Sequence, residues 1–272
     1  MRTYAIAVYL FLYIPIGVIA IFSFNAGRHA AQFQGFSTQW YGKALSNPFV
    51  MEALQTSATV ATVSAALATV AGTLAALALQ GVTGRPRIIF DALIYVAVMV
   101  PGIVIGISTL IALVTLFDFL NPVLSALWPL AGAAPKLNLG TGTLIAAHGL
   151  FAMALVVIIV RARVSGMDRS LIEASADLGA TPWGTFRQVT LPQIAPAILA
   201  GFLLSFTFSF DDFIIAFFVA GSETTLPIYV FSSIRRGVTP EINAIGTMVL
   251  AASLVVLIAA QAILQRGRRR ET

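Results

Sequence analysis

MDRSLIEASADLGATPWGTFRQVTLPQIAP, residues 167–196, stands between two long apolar runs and decides how the rest of the chain is read. Ser170 and Glu173 form an S-x-x-E capping box, which predicts a short helix starting at Ser170. Ala174, Ala176 and Leu178 continue it, and Gly179 is placed to end it. Thr181-Pro182 then supplies an N-cap and a first-turn proline for a second short helix. That helix runs toward Thr190, and Pro192 and Pro196 are expected to break the path into the next apolar run. A helix–glycine turn–helix with so many small side chains leaves room for a partner to pack closely against it.

The flanking runs, 143–160 and 198–220, are each long enough to cross a hydrocarbon core, which takes roughly 20 helical residues. Outward from them lie four more, at 4–24, 54–79, 88–117 and 244–264, giving an all-α membrane protein with six transmembrane helices. The 88–117 run is too long for one upright helix, and Pro101-Gly102 predicts a kink or break inside it. The first run is longer than a signal-peptide core and no A-x-A site follows, so it reads as a retained span. Ala61, Ala65, Ala68, Gly72 and Ala76 line the second with small residues, a pattern that lets helix backbones approach closely in lipid. Gly102 and Gly106 repeat it in the third.

Of the sixteen Lys and Arg residues, Arg2, Arg85, Arg87, Arg161, Arg163, Arg169, Arg187, Arg266, Arg268, Arg269 and Arg270 fall on one side of these spans. Arg28, Lys43, Lys136, Arg235 and Arg236 fall on the other. Eleven against five predicts that both termini and the 167–196 loop are cytoplasmic.

Composition narrows the function classes. The 272-residue chain is 58% apolar and 10% charged, with a mean hydropathy of +0.92; soluble domains carry about 25% charged residues. The net charge of +5 sits in short clusters beside apolar runs, so a membrane-lipid anchor explains Arg266–Arg270 better than a nucleic-acid arm does. The chain has no cysteine, hence no disulfide, thiolate metal site or cysteine nucleophile. His148 opens an apolar span with no second histidine at helical spacing; it reads as a packed or water-bonded side chain, and no metal site is expected. No G-x-x-x-x-G-K-[ST] loop occurs, and the one lysine that follows a glycine, in Gly42-Lys43, precedes Ala44. The chain is therefore not expected to be an enzyme or to hydrolyse ATP.

Asp211 and Asp212 lie within the fifth apolar run, where each aspartate costs about 2.5–3.5 kcal/mol at a helix centre. Neighbours on a helix point about 100° apart. One carboxylate can then line a pathway while the other contacts a neighbouring helix; the alternative is that both only bond to neighbours. Phe210 beside them, with Phe206, Phe208, Phe213 and Phe217, either offers cation–π faces or meets lipid and packing. Beyond Ala220, Leu226-Pro227 opens a short amphipathic stretch with Ile228, Tyr229, Phe231 and Ile234, ending at Arg235-Arg236. It reads as an interfacial or re-entrant helix at an external gate. Glu223 and Glu241 either add negative potential there or are ordinary loop charges.

Glu173-Ala174-Ser175, Gly179 and Leu191-Pro192 resemble the E-A-A…G…L-P signature of ABC importer permeases, with Ser175 in place of the usual alanine. The resemblance implies the type I permease fold as a single domain over 1–272 in the bacterial inner membrane. It makes 168–192 the coupling helices, with Glu173, Ala174, Ser175, Leu178, Gly179 and Ala180 against the ATPase, and 221–242 an external gate loop where a solute-binding protein docks on Glu223, Tyr229 and Glu241. The implied partners are a dimer of ATP-binding subunits, which holds the ATP and magnesium, a second, paralogous permease, and a periplasmic or lipid-anchored binding protein. No cofactor is implied for this chain itself. Ser209-Phe210-Asp211-Asp212, Phe217-Phe218, Leu226-Pro227-Ile228-Tyr229 and Pro240-Glu241-Ile242-Asn243-Ala244 are similar to the spermidine/putrescine branch, which implies a polyamine solute passing Asp211, Asp212 and Phe210. Another small amine is the alternative. An ion-coupled carrier using Asp211 or Asp212, or an intramembrane enzyme, would leave the 167–196 loop without a purpose.

Overall fold

A computed structural model describes residues 2–28, 32–128 and 134–268. Among them the chain forms α1 (Arg2–Phe22), α2 (Gln39–Ser46), α3 (Pro48–Ala78), α4 (Arg85–Met99), α5 (Gly102–Leu127) and α6 (Thr141–Ser165). There follow α7 (Ser170–Asp177), α8 (Pro182–Thr185), a π-helical turn (Phe186–Thr190), α9 (Leu191–Asp211), α10 (Ile214–Val219), α11 (Leu226–Arg236) and α12 (Pro240–Arg268). Five stretches are long and apolar enough to span a membrane, 3–22, 48–78, 102–127, 141–165 and 182–211, and a sixth apolar stretch, 240–256, lies in α12. Arg269 and Arg270 lie outside the described residues, as do the side chains of Arg2, Arg266 and Arg268.

The chain divides into two compact units, Met1–Gln55 with Leu226–Thr272, and Thr56–Thr225. In the first, α12 packs on α1 and α2. Its polar knot is Asn25, whose Oδ1 accepts the backbone N–H of Gly27 and Gln34. The Trp40 ring N–H donates to the Asn25 carbonyl at 2.7 Å, and Ser23 shares a 2.6 Å hydrogen bond with Tyr41. The expected amphipathic stretch forms as α11 over the anticipated residues.

In the second unit α6 is the central post, packing on α4, α5, α9 and α10. The small-residue stripe on α3 is spent inside this unit: Ala61, Ala65, Ala68 and Ala76 are buried. A Cβ on Gly72 would come within 2.8 Å of Val156 on α6. Gly106 does the same for α5 and α10, since a Cβ there would lie 2.7 Å from the Phe218 ring. Close backbone approach is what holds helices together where lipid removes any hydrophobic drive.

The break expected at Pro101-Gly102 forms: α4 ends at Met99, Val100 is extended, Pro101 is the N-cap of α5, and α5 begins at Gly102. Two expectations need correcting. The spanning segment of this run is 102–127 and not 88–117. Pro192 and Pro196 do not interrupt the approach to the fifth span. The π turn carries the chain from α8 into α9 without a gap, Pro192 falls in the first turn of α9, and the helix continues through Pro196. The fifth span is instead broken at Asp212-Phe213, between α9 and α10.

Candidate functional site

The 167–196 loop forms as helix–turn–helix, with its start capped differently from expectation. Arg169 is the N-cap of α7 and makes no side-chain cap bond. The carboxylate of Asp168 accepts the Ser170 N–H at 2.9 Å instead, and this bond holds the Asp168 carboxyl below its ordinary range. The Ser170–Glu173 box does not form, because a helix beginning at Ser170 puts its cap one residue earlier. The other end is as anticipated: Gly179 has φ +79°, its N–H donates to Ala176 and that of Ala180 donates to Ser175, satisfying the last carbonyls of α7. Thr181 caps α8 through the Gly184 N–H at 3.1 Å.

Ser175, the departure from the alanine of the motif, shares a 2.9 Å hydrogen bond with Thr185, so it ties α7 to α8. Leu178 is 89% exposed. Trp183, which sequence reasoning passed over, is 68% exposed and stacks on Phe186. Glu173 lines a cleft of about 500 Å³ with Gln80, Arg87, Met167, Arg169 and Thr190. Beside it Asp91 accepts from both Arg87 and Arg161, and Arg163 donates to the Gln193 carbonyl at 2.8 Å. Arg161 thus fastens α6 to α4, and Arg163 fastens α6 to α9, at this end.

Deeper in the same unit, the break in the fifth span separates the two aspartates. Asp212 is extended, with φ −71° and ψ 120°, and its Oδ2 accepts the Ala216 N–H at 3.0 Å, capping α10. The same oxygen lies 3.5 Å from Nε2 of His148 on α6. His148 is 2% exposed; its Nδ1 shares a 2.7 Å hydrogen bond with Ser209, and Ser209 shares one of 3.0 Å with Ser64 on α3. Asp212 is thereby turned into the protein. Asp211, on the last turn of α9, is exposed. The burial pattern explains the difference: Ile194, Ala197, Gly201, Ser205 and Ser209 form the buried stripe of α9, and Asp211, two residues past Ser209, points about 200° away from it.

Phe210 is half-buried and continues a stack with Phe206 and Phe202, at centroid spacings of 5.9 and 6.4 Å. Phe208 instead stacks on Phe151 at 4.4 Å, and Phe213, Phe217 and Phe218 cluster on one another. Sequence reasoning missed His148 as a member of this site, since a lone histidine in an apolar run shows its partners only once three helices are packed. In the other unit, Asn47 Nδ2 donates to Glu241 at 3.0 Å and to the Tyr229 hydroxyl at 3.3 Å, bringing two of the expected gate residues together. Glu223 belongs to the unit of α6, with its stem beside Gly140.

Comparison with known proteins places the chain among transport permeases. The chain is 37% identical over 258 residues to the Escherichia coli (strain K12) spermidine/putrescine transport system permease protein PotC, covering 94% of this chain and 90% of the relative. It is 38% identical over 268 residues to the putrescine transport system permease protein PotI of the same organism, covering 96% and 89%. A bacterial alginate ABC transporter, solved in complex with alginate pentasaccharide-bound periplasmic protein, has a chain that superposes with a TM-score of 0.72. The identity there is 16%, over 97% of this chain and 92% of that one. Residues 68–270 match the binding-protein-dependent transport system inner membrane component family, and the chain belongs to that family of inner-membrane ABC importer permeases.

Proposed function

We propose that this chain is one of two paralogous permease subunits that import a linear polyamine, with Asp211 as the carboxylate that meets it. Family membership places ATP hydrolysis on a separate subunit, so an ion-coupled role for the aspartates is not needed to drive transport. The observation that carries the reading is the division of labour at the break. Asp212 sits at the amino end of α10, where a carboxylate is welcome, and is already bonded. Asp211 sits at the carboxyl end of α9, a helix pole worth roughly −0.5 charge. A carboxylate placed at a negative pole, exposed, at span depth, is stabilised by a cation and destabilised without one. At an effective dielectric of about 20, an ammonium about 4 Å away gains about 4 kcal/mol from a single carboxylate. The Phe210–Phe206–Phe202 stack offers apolar and cation–π surface for the methylene chain and amines of such a solute. Relatives named for spermidine and putrescine transport support the solute class.

In this reading Glu173, Ala174, Ser175, Leu178, Gly179 and Ala180, together with Trp183, face the ATPase. Asn47, Tyr229 and Glu241 form a brace for a docking solute-binding protein, and Glu223 is a further acidic residue on the 221–242 gate loop. Both termini are cytoplasmic. The chain itself holds no cofactor, and ATP and magnesium belong to the partner. Closure of the ATPase dimer moves α7 and α8, that motion passes through the unbroken π turn into α9, and Asp211 is carried between outward and inward exposure.

The test is ATPase activity of the reconstituted complex with its binding protein, against spermidine, putrescine, 4-aminobutyrate and a neutral sugar. Stimulation by a polyamine, cut at least about tenfold by Asp211→Asn, supports the reading. Stimulation by the sugar or by 4-aminobutyrate alone, with Asp211→Asn equal to wild type, removes the polyamine assignment.

A further inference from the structure

We infer that His148 is a two-sided latch on the break in the fifth span and thereby positions Asp211; the inference rests on the reading of Asp211 given above. One imidazole touches both sides of the break. Its Nδ1 is bonded at 2.7 Å to Ser209, in the last turn of α9, and its Nε2 faces Asp212, the cap of α10, across 3.5 Å. The ring is anchored from behind: α6 is an unbroken helix of 25 residues, and Thr143, five residues before His148, donates to the Val219 carbonyl at 2.7 Å, fixing the far end of α10. The post therefore grips α10 at both ends and α9 at one.

The two grips are unequal. The Ser209 contact is at full hydrogen-bond length and is backed by Ser64. The Asp212 contact is longer, and Nε2 is buried with no hydrogen bond made. A buried ring nitrogen without a partner is costly, and charge-assisted N–H···O bonds close to about 2.7–2.9 Å. From 3.5 Å, a movement of about 0.6–0.8 Å at Asp212 closes this one. Residues at such element ends absorb φ/ψ change when gates move. The structure thus holds a latch fast on the α9 side and open on the α10 side, adjoining Asp211. No arginine or lysine is paired with Asp212 among the described residues, so His148 alone supplies the closing contact.

The experiment measures polyamine uptake by the reconstituted complex over a range of loaded binding protein, for His148→Gln, His148→Asn, Asp211→Asn and the His148→Asn/Asp211→Asn pair. Gln reaches the Nε2 position and keeps the Asp212 approach; Asn reaches only the Nδ1 position. A latch predicts that Gln keeps maximal uptake within about threefold and Asn loses about tenfold, with the half-saturating binding-protein concentration unchanged. It also predicts that the double variant is no worse than Asp211→Asn, because both losses pass through one carboxylate. Multiplying losses, or Asn equal to wild type with Gln impaired, overturn the latch while leaving Asp211 in place. If Asp211→Asn alone is silent, the reading of Asp211 fails instead. Should His148 variants not assemble, Ser209→Ala in the same cycle decides: a non-additive loss supports the latch, and an unchanged or multiplying one overturns it.

Discussion

Replacing Gly179 with alanine isolates the backbone geometry of the 167–196 loop from everything it touches. Gly179 has φ +79°, in the left-handed region, and no atom lies within 4 Å of where an alanine Cβ would stand. The cost is therefore conformational and not steric, about 1–2 kcal/mol for an L-residue in that region. The bonds at stake close the end of α7: Leu178 N–H to Ala174 at 3.1 Å, Gly179 N–H to Ala176 at 2.9 Å and Ala180 N–H to Ser175 at 3.1 Å. Since about 1.4 kcal/mol is a tenfold change in population, alanine lowers the fraction of correctly turned loops by roughly five- to thirtyfold relative to a relaxed alternative. Asparagine, which enters the left-handed region more readily, falls between glycine and alanine. The assay compares solute-stimulated ATPase with solute uptake in the reconstituted complex, for glycine, asparagine and alanine. Loss of coupling in the order Ala worse than Asn worse than Gly is expected. Alanine equal to glycine, or asparagine worse than alanine, refutes the conformational argument and moves the role of Gly179 to a contact with the partner.

Ser175→Ala restores the residue of the family motif but removes the 2.9 Å bond to Thr185; hydrogen exchange in α7 and α8 should accelerate by an amount corresponding to about 1 kcal/mol. Gly106→Ala forces a Cβ to within 2.7 Å of the Phe218 ring and 3.4 Å of the Ile214 carbonyl, so thermal unfolding of the purified chain should show a loss of about 1–3 kcal/mol from overpacking. The Asp168 carboxyl is held below its ordinary range by the Ser170 N–H. Its support of α7 is therefore full above the unfolded carboxylate pKa of about 3.9 and is lost as pH falls through the lower folded value. Exchange of the Ser170 amide should rise over that acid window in wild type and show no such step in Asp168→Ala.

The sequence by itself determined the class of the protein and the local form of the 167–196 loop. Span lengths, the arginine distribution and the Glu173…Gly179…Leu191-Pro192 spacing are local properties, set by hydropathy, capping and the need for a left-handed residue. Gly179, Thr181 and α11 accordingly stand where their residues dictate. The exceptions are also local in cause: Ser170 lost its capping role because the helix start shifted by one residue, and Pro192 fits a first turn as comfortably as it ends a helix. Only the tertiary structure decided what Asp211 and Asp212 each do. Adjacent carboxylates are equivalent in a string of letters; they part only when α9 ends between them and α6 presents His148 to one of the two. The same holds for Ser64 with Ser209, His148 with Ser209 and Asp91 with Arg161, pairs 145, 61 and 70 positions apart. Long-range polar partners are selected by helix packing, which no period or cap encodes, and for that reason the candidate site around Asp211 and Asp212 became legible only after the helices were in place.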